Sequence, residues 1–145
     1  MSVRPKHDVD QASAIPFRRK KDAIEFCLIT SSNNGHWIFP KGMIDPGDTA
    51  LETALKESEE EAGLIGEIIG EPLGEYTYNK WGQKLRVVAM LMEVTASQDD
   101  WQEDHVRNRC WVSLETALDR LQNTRLRDLL VKAAETLGIE TDESD

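Results

Sequence analysis

Residues 42–64 read GMIDPGDTALETALKESEEEAGL, a turn-rich loop that runs directly into a predicted helix. Thr49 followed by Glu52 is typical of a capping box at the start of a helix, and Gly63 supplies the left-handed residue that ends one. Between these limits, apolar and small residues recur at three- and four-residue steps, which predicts a stripe buried against the rest of the domain. That stripe, in which we expect the two leucines to be core residues, comprises Leu51, Ala54, Leu55, Ser58 and Ala62.

Three glutamates lie on another side of the same predicted helix. Glu57, Glu60 and Glu61 are three or four residues apart, so their carboxylates point into one small volume beside the preceding loop. Like charges this close repel each other, and a hard cation such as Mg²⁺ or Mn²⁺ would stabilise them because it prefers oxygen ligands. An acidic run on a helix is more often only a solvated surface. Residues 36–42, which bring exposed backbone groups and the Lys41 ammonium beside the acids, favour a metal site here.

The spacing of this segment resembles the signature of the Nudix pyrophosphohydrolases. That signature is Gly, five residues, Glu, seven residues, Arg-Glu, an apolar residue, any residue, Glu-Glu, any residue, Gly and an apolar residue. The matching positions are Gly42, Glu57, Glu60, Glu61, Gly63 and Leu64. The chain departs at three positions, where Asp48 replaces Glu, Lys56 replaces Arg and Ser58 replaces an aliphatic residue. An ammonium does not fully replace a guanidinium that holds two partners at once.

The resemblance implies a fold, a reaction and roles for particular residues. The implied fold is an α/β/α sandwich with a mixed β-sheet, which covers about residues 11–138 in element order. The implied reaction is cleavage of a diphosphate linkage by water, with Mg²⁺ or Mn²⁺ as cofactor. The expected metal ligands are Glu57, Glu60, Glu61 and the backbone carbonyl of Lys41. Glu57 or Glu60 would be the catalytic base, and the coupling between neighbouring carboxylates leaves that choice open.

Within the family, the chain is similar to the branch that cleaves diphosphoinositol polyphosphates and diadenosine polyphosphates. The similarity lies in Phe17-Arg18, in the segment from Trp37 to Gly42 and in residues 107–111 (RNRCW). Guanidinium groups bind phosphates bidentately and an ammonium adds a point charge, so these basic residues favour a highly phosphorylated substrate. For any single arginine, a surface role is an equally good interpretation. The substrate-binding candidates are Arg18, Lys41, Gly42, Arg86, Arg107 and Arg109.

The four tryptophans are a weaker indication of the substrate. Trp81 and Trp101 fall in predicted loops, where either ring could stack on an adenine. Trp37 and Trp111 fall in strand-like runs and are predicted to be core residues. The three histidines show no pair with metal-ligand spacing, and we interpret them as loop or surface residues.

Length and charge restrict the possible partners. The chain has 145 residues and a formal net charge of −10, and we expect one domain over residues 1–145, with a flexible arm to about residue 9 and an acidic tail from about residue 139. The negative charge disfavours binding to a nucleic acid polymer, and no apolar stretch predicts a membrane span. The expected partner is therefore a phosphorylated small molecule. Cys27 and Cys110 are predicted to be free thiols, which fits a cytoplasmic location, and the oligomeric state is left open.

Strands and helices are interleaved along the rest of the chain, which predicts a mixed sheet covered on both faces. The predicted strands cover about residues 11–17, 23–30, a short segment at 37, 65–78, 84–94 and 110–112. Pro16 predicts an edge strand or a bulge, because proline cannot donate to a ladder. Residues 79–83 form a predicted hairpin turn. Ser113 is a predicted cap for a helix through Leu121, and a final amphipathic helix ends at Gly138.

The leading hypothesis from these patterns is a metal-dependent hydrolase of a diadenosine polyphosphate or a diphosphoinositol polyphosphate. The alternative is a non-catalytic module of the same fold that binds phosphorylated ligands, with the departures at Asp48 and Lys56 as its sign. Retention of every expected metal carboxylate argues for the enzyme. A purely structural acidic domain would leave the loop, the helix caps and the basic residues unexplained.

Overall fold

The computed structural model describes residues 9–140, so most of the expected arm (to about residue 9) and of the expected tail (from about residue 139) lies outside the described part of the chain. The helices are α1 (Ala50–Ala62), α2 (Leu114–Arg120) and α3 (Thr124–Thr136). The strands are β1 (Gln11–Lys20), β2 (Ala23–Thr30), β3 (Trp37–Ile38), β4 (Lys41–Met43), β5 (Leu64–Lys80), β6 (Gln83–Ser97) and β7 (Arg109–Val112). None of the helices between residues 9 and 140 is long and apolar enough to cross a membrane.

A single mixed sheet contains all these strands. Its main path is β3-β2-β1-β6-β5, while β4 pairs with β1 and β7 pairs with β2. The β1–β6 pair is parallel and the other pairs are antiparallel. The predicted mixed sheet is therefore confirmed. Strand β4 lies in a segment predicted to be a loop, because its pairing with β1 joins residues far apart in sequence.

Pro16 lies in the middle of the sheet, and the prediction of an edge strand or a bulge is wrong. Pro16 stands in register with Met92 of β6, without a shift along that pair. On the opposite side of β1, residues 11–13 pair with β4 and residues 17–20 pair with β2. Pro16 therefore falls between two partners, where a residue that lacks an amide hydrogen interrupts neither ladder.

Residue alternation gives the sheet two buried faces. Ile15 and Phe17 of β1 belong to the core that packs against α2 and α3. Ala12 and Ala14, on the alternate positions, belong to a second core that packs against α1. Helices on both faces of a mixed sheet make up the predicted α/β/α sandwich, which is confirmed.

Helix α1 begins and ends where the sequence indicates. The side chain of Thr49 accepts from the amide of Glu52, the Glu52 carboxylate accepts from the amide of Thr49, and Gly63 ends the helix with a φ of 68°. The predicted stripe is only partly correct, because Leu51 is 43% exposed and is not a core residue. Leu55 is partly buried against the core, and the buried side of the helix carries Thr53 and Glu61 together with Ala54, Ser58 and Ala62.

The β5–β6 hairpin is longer than predicted and its turn is shorter. Only Trp81 and Gly82 lie between the strands, with φ of 54° and 71°. Positive φ at both central residues is typical of the two-residue turn whose twist matches that of the hairpin. The remaining elements agree with the prediction, including the cap that Ser113 provides for α2.

Candidate active site

Gly42 of β4 and Glu57 of α1 are in close contact. A Cβ atom placed on Gly42 would lie 2.5 Å from Oε1 and 2.6 Å from Cγ of Glu57, closer than real Cβ atoms approach other atoms. Glycine at residue 42 therefore lets the Glu57 carboxylate rest directly on the backbone of β4.

Glu61 is buried beside this contact. Its Oε1 accepts a hydrogen bond from the backbone amide of Lys41 at 3.1 Å, and its Oε2 lies 3.6 Å from the Arg107 guanidinium. Burial raises the pKa of Glu61 to about 8, Arg107 and the Lys41 amide oppose the shift, and Glu57 adds to it. Burial also raises the pKa of Glu57, which is hydrogen-bonded to Glu61 and repelled by Glu60. The two touching carboxylates thus share one low-dielectric space in which two negative charges are unfavourable.

The side chain of Lys41 lies on the opposite face of the sheet from α1, beside Gln11, so its ammonium group and the acids lie on either side of β4. Burial lowers the pKa of Lys41, while Glu61 opposes that shift. Its Nζ lies 5.2 Å from the centre of the Tyr78 ring, and the Tyr78 hydroxyl donates to Oε1 of the buried Gln11 at 2.6 Å. Among residues 9–140, no carboxylate lies within 4.0 Å of this Nζ. A half-buried cation without a close carboxylate is suited to an anionic ligand.

The loop after β6, residues 98–108, and Arg109 at the start of β7 hold the C-terminal end of α1. The carbonyl of Glu60 accepts from the amide of Glu103 at 3.1 Å, and the carbonyl of Glu61 accepts from Nε1 of Trp101 at 2.9 Å. The carbonyl of Ala62 accepts from the Arg109 guanidinium at 2.7 Å. These donors satisfy carbonyls that a helix end leaves unpaired, and the positive Arg109 also matches the helix dipole. The orientation of the acidic residues on α1 therefore depends on this loop.

Arg107, which belongs to the same loop, forms a second set of contacts. Its Nε lies 2.8 Å from Oε1 of Glu103, and it donates to the carbonyl of Thr30 at 3.0 Å. The side chain is only 10% exposed. Arg107 thus joins β2 and the loop to Glu61 of α1, and a phosphate could reach it only by displacing these contacts. The sequence predicts functional roles for Arg107 and Arg109, and for Trp101 only as a ring that could stack on a base, while Glu103 has no local motif that would single it out.

The structure does not bring the predicted substrate-binding arginines together. Arg18 pairs with Glu25 at 2.8 Å, whereas Arg86 pairs with Glu75 at 2.6 Å. The parallel register of β1 and β6 places Arg86 level with residue 10, so Arg18 is eight residues, or about 26 Å, further along the sheet. Arg18 and Arg86 therefore cannot both contact one diphosphate group, and the substrate-binding role of each arginine stays a prediction.

Comparison with known proteins shows the family to which the chain belongs. A family model described as the NUDIX domain matches residues 8–132. The chain belongs to the Nudix family. Nudix hydrolase 4 of Arabidopsis thaliana is 31% identical over 126 residues, which cover 80% of this chain and 60% of that protein. The asymmetrical bis(5'-nucleosyl)-tetraphosphatase of Sus scrofa is 41% identical over 90 residues, 55% of this chain and 61% of that protein. The chain thus matches about three-fifths of the length of these curated relatives.

Solved structures give the same fold. The Ap4A hydrolase of C. elegans, crystallised as a binary complex, superposes with a TM-score of 0.78 at 29% identity, covering 90% of this chain and 98% of that one. The NUDIX domain of Shewanella oneidensis NrtR, with a TM-score of 0.73, 21% identity and coverage of 91% and 90%, shares the fold. The resemblance to the Nudix family is therefore confirmed.

The three departures from the Nudix signature have structural accounts. Lys56 lies 3.1 Å from a carboxylate oxygen of Asp45 and 3.7 Å from one of Asp48, so the two charged departures contact each other. The hydrogen bond to Asp45 raises the pKa of Lys56. Ser58 is fully buried and its hydroxyl donates to the carbonyl of Ala54 at 2.8 Å. The signs of the charges in the Nudix signature are therefore retained, and the buried hydroxyl of Ser58 has a hydrogen-bond partner.

Of the two loop tryptophans that were predicted to be open to a base, only Trp81 is exposed. Trp101 has its indole nitrogen bonded to the carbonyl of Glu61, and the Arg109 guanidinium lies 4.1 Å from its ring centre. Trp81 is 77% exposed at the tip of the hairpin. Trp111 is half-buried beneath Arg18, whose guanidinium carbon lies 4.2 Å from its ring centre. Trp101 therefore contacts the C-terminal end of α1.

The expected Nudix metal ligands are oxygen atoms, which suit a hard cation, but only some of them lie close together. Glu57 and Glu61 lie together, yet no three His, Cys, Asp or Glu side chains among residues 9–140 converge as a metal-binding group. The sequence had predicted that Glu60 would share that volume. Glu60 lies near enough to raise the pKa of Glu57 by repulsion but does not join Glu57 and Glu61 in such a group. The anionic oxygens crowded at Gly42 are suited to Mg²⁺ or Mn²⁺, which would relieve their repulsion.

Proposed function

We propose that the protein is a divalent-metal-dependent pyrophosphohydrolase that cleaves the diphosphate linkage of a diadenosine polyphosphate. The observation that carries this proposal is that Glu57 and Glu61 crowd against the backbone of residues 41–42, while Lys41 of the same strand carries a half-buried ammonium group. Carboxylates bind a cation and the ammonium binds a phosphate, so one diphosphate can meet both. The names of the pig and C. elegans relatives, a tetraphosphatase and an Ap4A hydrolase, support the substrate class.

Glu57, Glu60, Glu61 and the carbonyl oxygen of Lys41 would hold Mg²⁺, with Mn²⁺ as the alternative. When bound, such a cation neutralises phosphate oxygens and lowers the pKa of water. Glu61 acts as a ligand and not as the base, because both of its oxygens are engaged by the Lys41 amide and by Arg107.

Glu57 or Glu60 takes a proton from the attacking water as the water oxygen bonds to phosphorus and the bridging P–O bond breaks. Lys41 holds a phosphate of the substrate through its ammonium group. Tyr78 and Gln11 keep that ammonium in place, because the ring packs under Nζ and the hydroxyl is fixed by the Gln11 amide oxygen.

A dinucleotide is favoured over a diphosphoinositol polyphosphate by the groups near Lys41. The rings of Tyr76 and Tyr78 lie 6.4 Å apart, both half-buried, and offer an aromatic surface to a purine. A densely phosphorylated inositol would need several converging cations, and Arg18 and Arg86 are too far apart to supply them together. The diphosphoinositol substrate therefore ranks second.

The test is phosphate release from diadenosine polyphosphates, nucleoside triphosphates, a nucleotide sugar and a diphosphoinositol polyphosphate, with Mg²⁺ or with a chelator. We expect the diadenosine compounds to be cleaved fastest and only with the metal. Glu57→Gln should lower kcat by roughly a hundredfold or more, whereas Glu59→Gln, a matched change at an exposed position of the same helix, should leave kcat unchanged. Tight binding of a diadenosine polyphosphate without turnover would instead support the non-catalytic module.

A further inference from the structure

A wide groove lies far from the candidate active site. It has a volume of about 990 Å³ and is formed by the start of β2, helices α2 and α3, and the segment after α3. Ile24 is level with Arg19 of β1, while Lys41 is level with Ser13, so the groove and the ammonium of the active site are about 20 Å apart along the sheet.

The floor of this groove is apolar and incompletely covered. Five of its side chains pack on the main core yet remain only partly buried, although four separate elements contribute to the groove. These side chains are Ile24, Leu114, Leu118, Leu137 and Ile139. Partly covered apolar side chains gathered in one groove are typical of a surface that binds a partner.

The rim of the groove is strongly acidic. Five carboxylates line it, and within residues 9–140 none of them forms an ion pair with a lysine, arginine or histidine. These carboxylates belong to Asp22, Glu115, Asp119, Asp128 and Glu140. Arg127 is the one basic residue among those lining the groove, and it donates to the carbonyl of Leu118. An occupant must therefore bring positive charge as well as apolar surface.

We propose that this groove is a docking site for a basic amphipathic peptide segment of a partner protein. Leucine-like side chains of the segment fill the apolar floor, and its lysines or arginines pair with the free carboxylates of the rim. The chain's own residues 141–145, TDESD, carry negative charge and would be repelled from the rim. A second copy of the chain, with a net charge of −10, is disfavoured for the same reason.

The experiment measures fluorescence anisotropy of a labelled peptide that alternates leucine and lysine, titrated with the full chain. Two control peptides replace either the leucines by serine or the lysines by glutamate. We expect saturable binding of the first peptide and much weaker binding of both controls. The proposal is overturned if the leucine–lysine peptide does not bind, or if the serine peptide binds equally well.

Two paired variants locate the binding surface. Glu115→Lys with Asp119→Lys should weaken binding of the leucine–lysine peptide roughly tenfold or more, while Asp99→Lys with Asp100→Lys, an equal charge change outside the groove, should have little effect. Ile139→Ser, which lies beyond α3, should weaken binding without changing hydrolysis. Equal losses in both charge-reversal pairs would indicate attraction to overall charge and would refute the docking site.

Discussion

At the scale of single residues, the site depends on contacts too close to accept a larger side chain. Glu57 rests on Gly42, and Glu61 is held by the amide of Lys41. The spacing of the acidic residues in the sequence predicted that the loop and the helix would meet. It did not predict that Glu61 would be buried, because burial depends on how α1 is rotated against the sheet.

The contact between Gly42 and Glu57 predicts a severe effect for Gly42→Ala. The new methyl group would displace the Glu57 carboxylate, and a displacement of about 1 Å at a reacting group can lower the rate by roughly a hundredfold. Steady-state kinetics with the preferred substrate would measure this loss. Gly74→Ala, whose methyl group would meet only flexible side chains at 3.3 Å or more, is the control and should retain activity. Equal activity of both variants would contradict the assignment.

Thr53 carries a buried hydroxyl without a hydrogen-bond partner among the described residues. Replacing it by the isosteric valine removes a desolvated polar group and keeps the volume, so Thr53→Val should raise the free energy of unfolding by about 1 kcal/mol. Thr53→Ser keeps the hydroxyl, loses a methyl group and should be less stable than the native chain. Urea denaturation in the absence of metal measures both, and a destabilised valine variant would mean that the hydroxyl has a structural partner.

Cys27 and Cys110 are both free, as predicted, but differ in burial. Burial raises the pKa of Cys27 to about 12, so almost none of it is thiolate at neutral pH. In a Cys110→Ser variant, iodoacetamide at pH 8 should leave the folded protein unmodified and should label Cys27 once denaturant is added. Mass spectrometry would follow the reaction, and rapid labelling of the folded variant would contradict this burial. The cytoplasmic location expected from free thiols stays a prediction.

At the scale of elements, the boundaries of α1 and α2 were predictable because their caps are local. Thr49 with Glu52 and Ser113 fix the starts of these helices through bonds to residues three positions away. Strand β4 and the position of Pro16 were not predictable, because both depend on which distant strands pair with β1. The loop that holds the end of α1 was missed for the same reason, since Trp101 contacts a carbonyl 40 residues earlier.

The loop after β6 should control metal binding through the orientation of α1. Trp101→Phe removes the donor to the Glu61 carbonyl, and we expect a loss of about 1 kcal/mol of stability and a weaker affinity for Mg²⁺. Trp81→Phe, at the exposed hairpin tip, is the matched control. Calorimetric titration with Mg²⁺ measures the affinity, and identical metal binding in both variants would show that the loop does not position the carboxylates.

At the scale of the whole molecule, the residues of the candidate site come from both faces of the sheet. The acidic residues belong to α1 on one face, while Lys41 and Tyr78 share the other face with Gln11. A substrate that meets both must therefore lie across the edge formed by β4. The positive charge that attracts it is local, because the chain as a whole has a net charge of −10.

The central claim is that the end of α1 binds divalent cations where a diphosphate can reach them. The most direct measurement is an anomalous difference map from crystals soaked in Mn²⁺. We expect a peak bounded by the carboxylates of Glu57, Glu60 and Glu61 and by the carbonyl of Lys41, with Glu60 turned inward to complete the site. A map with no peak there, at a Mn²⁺ concentration that supports hydrolysis in solution, would contradict the claim.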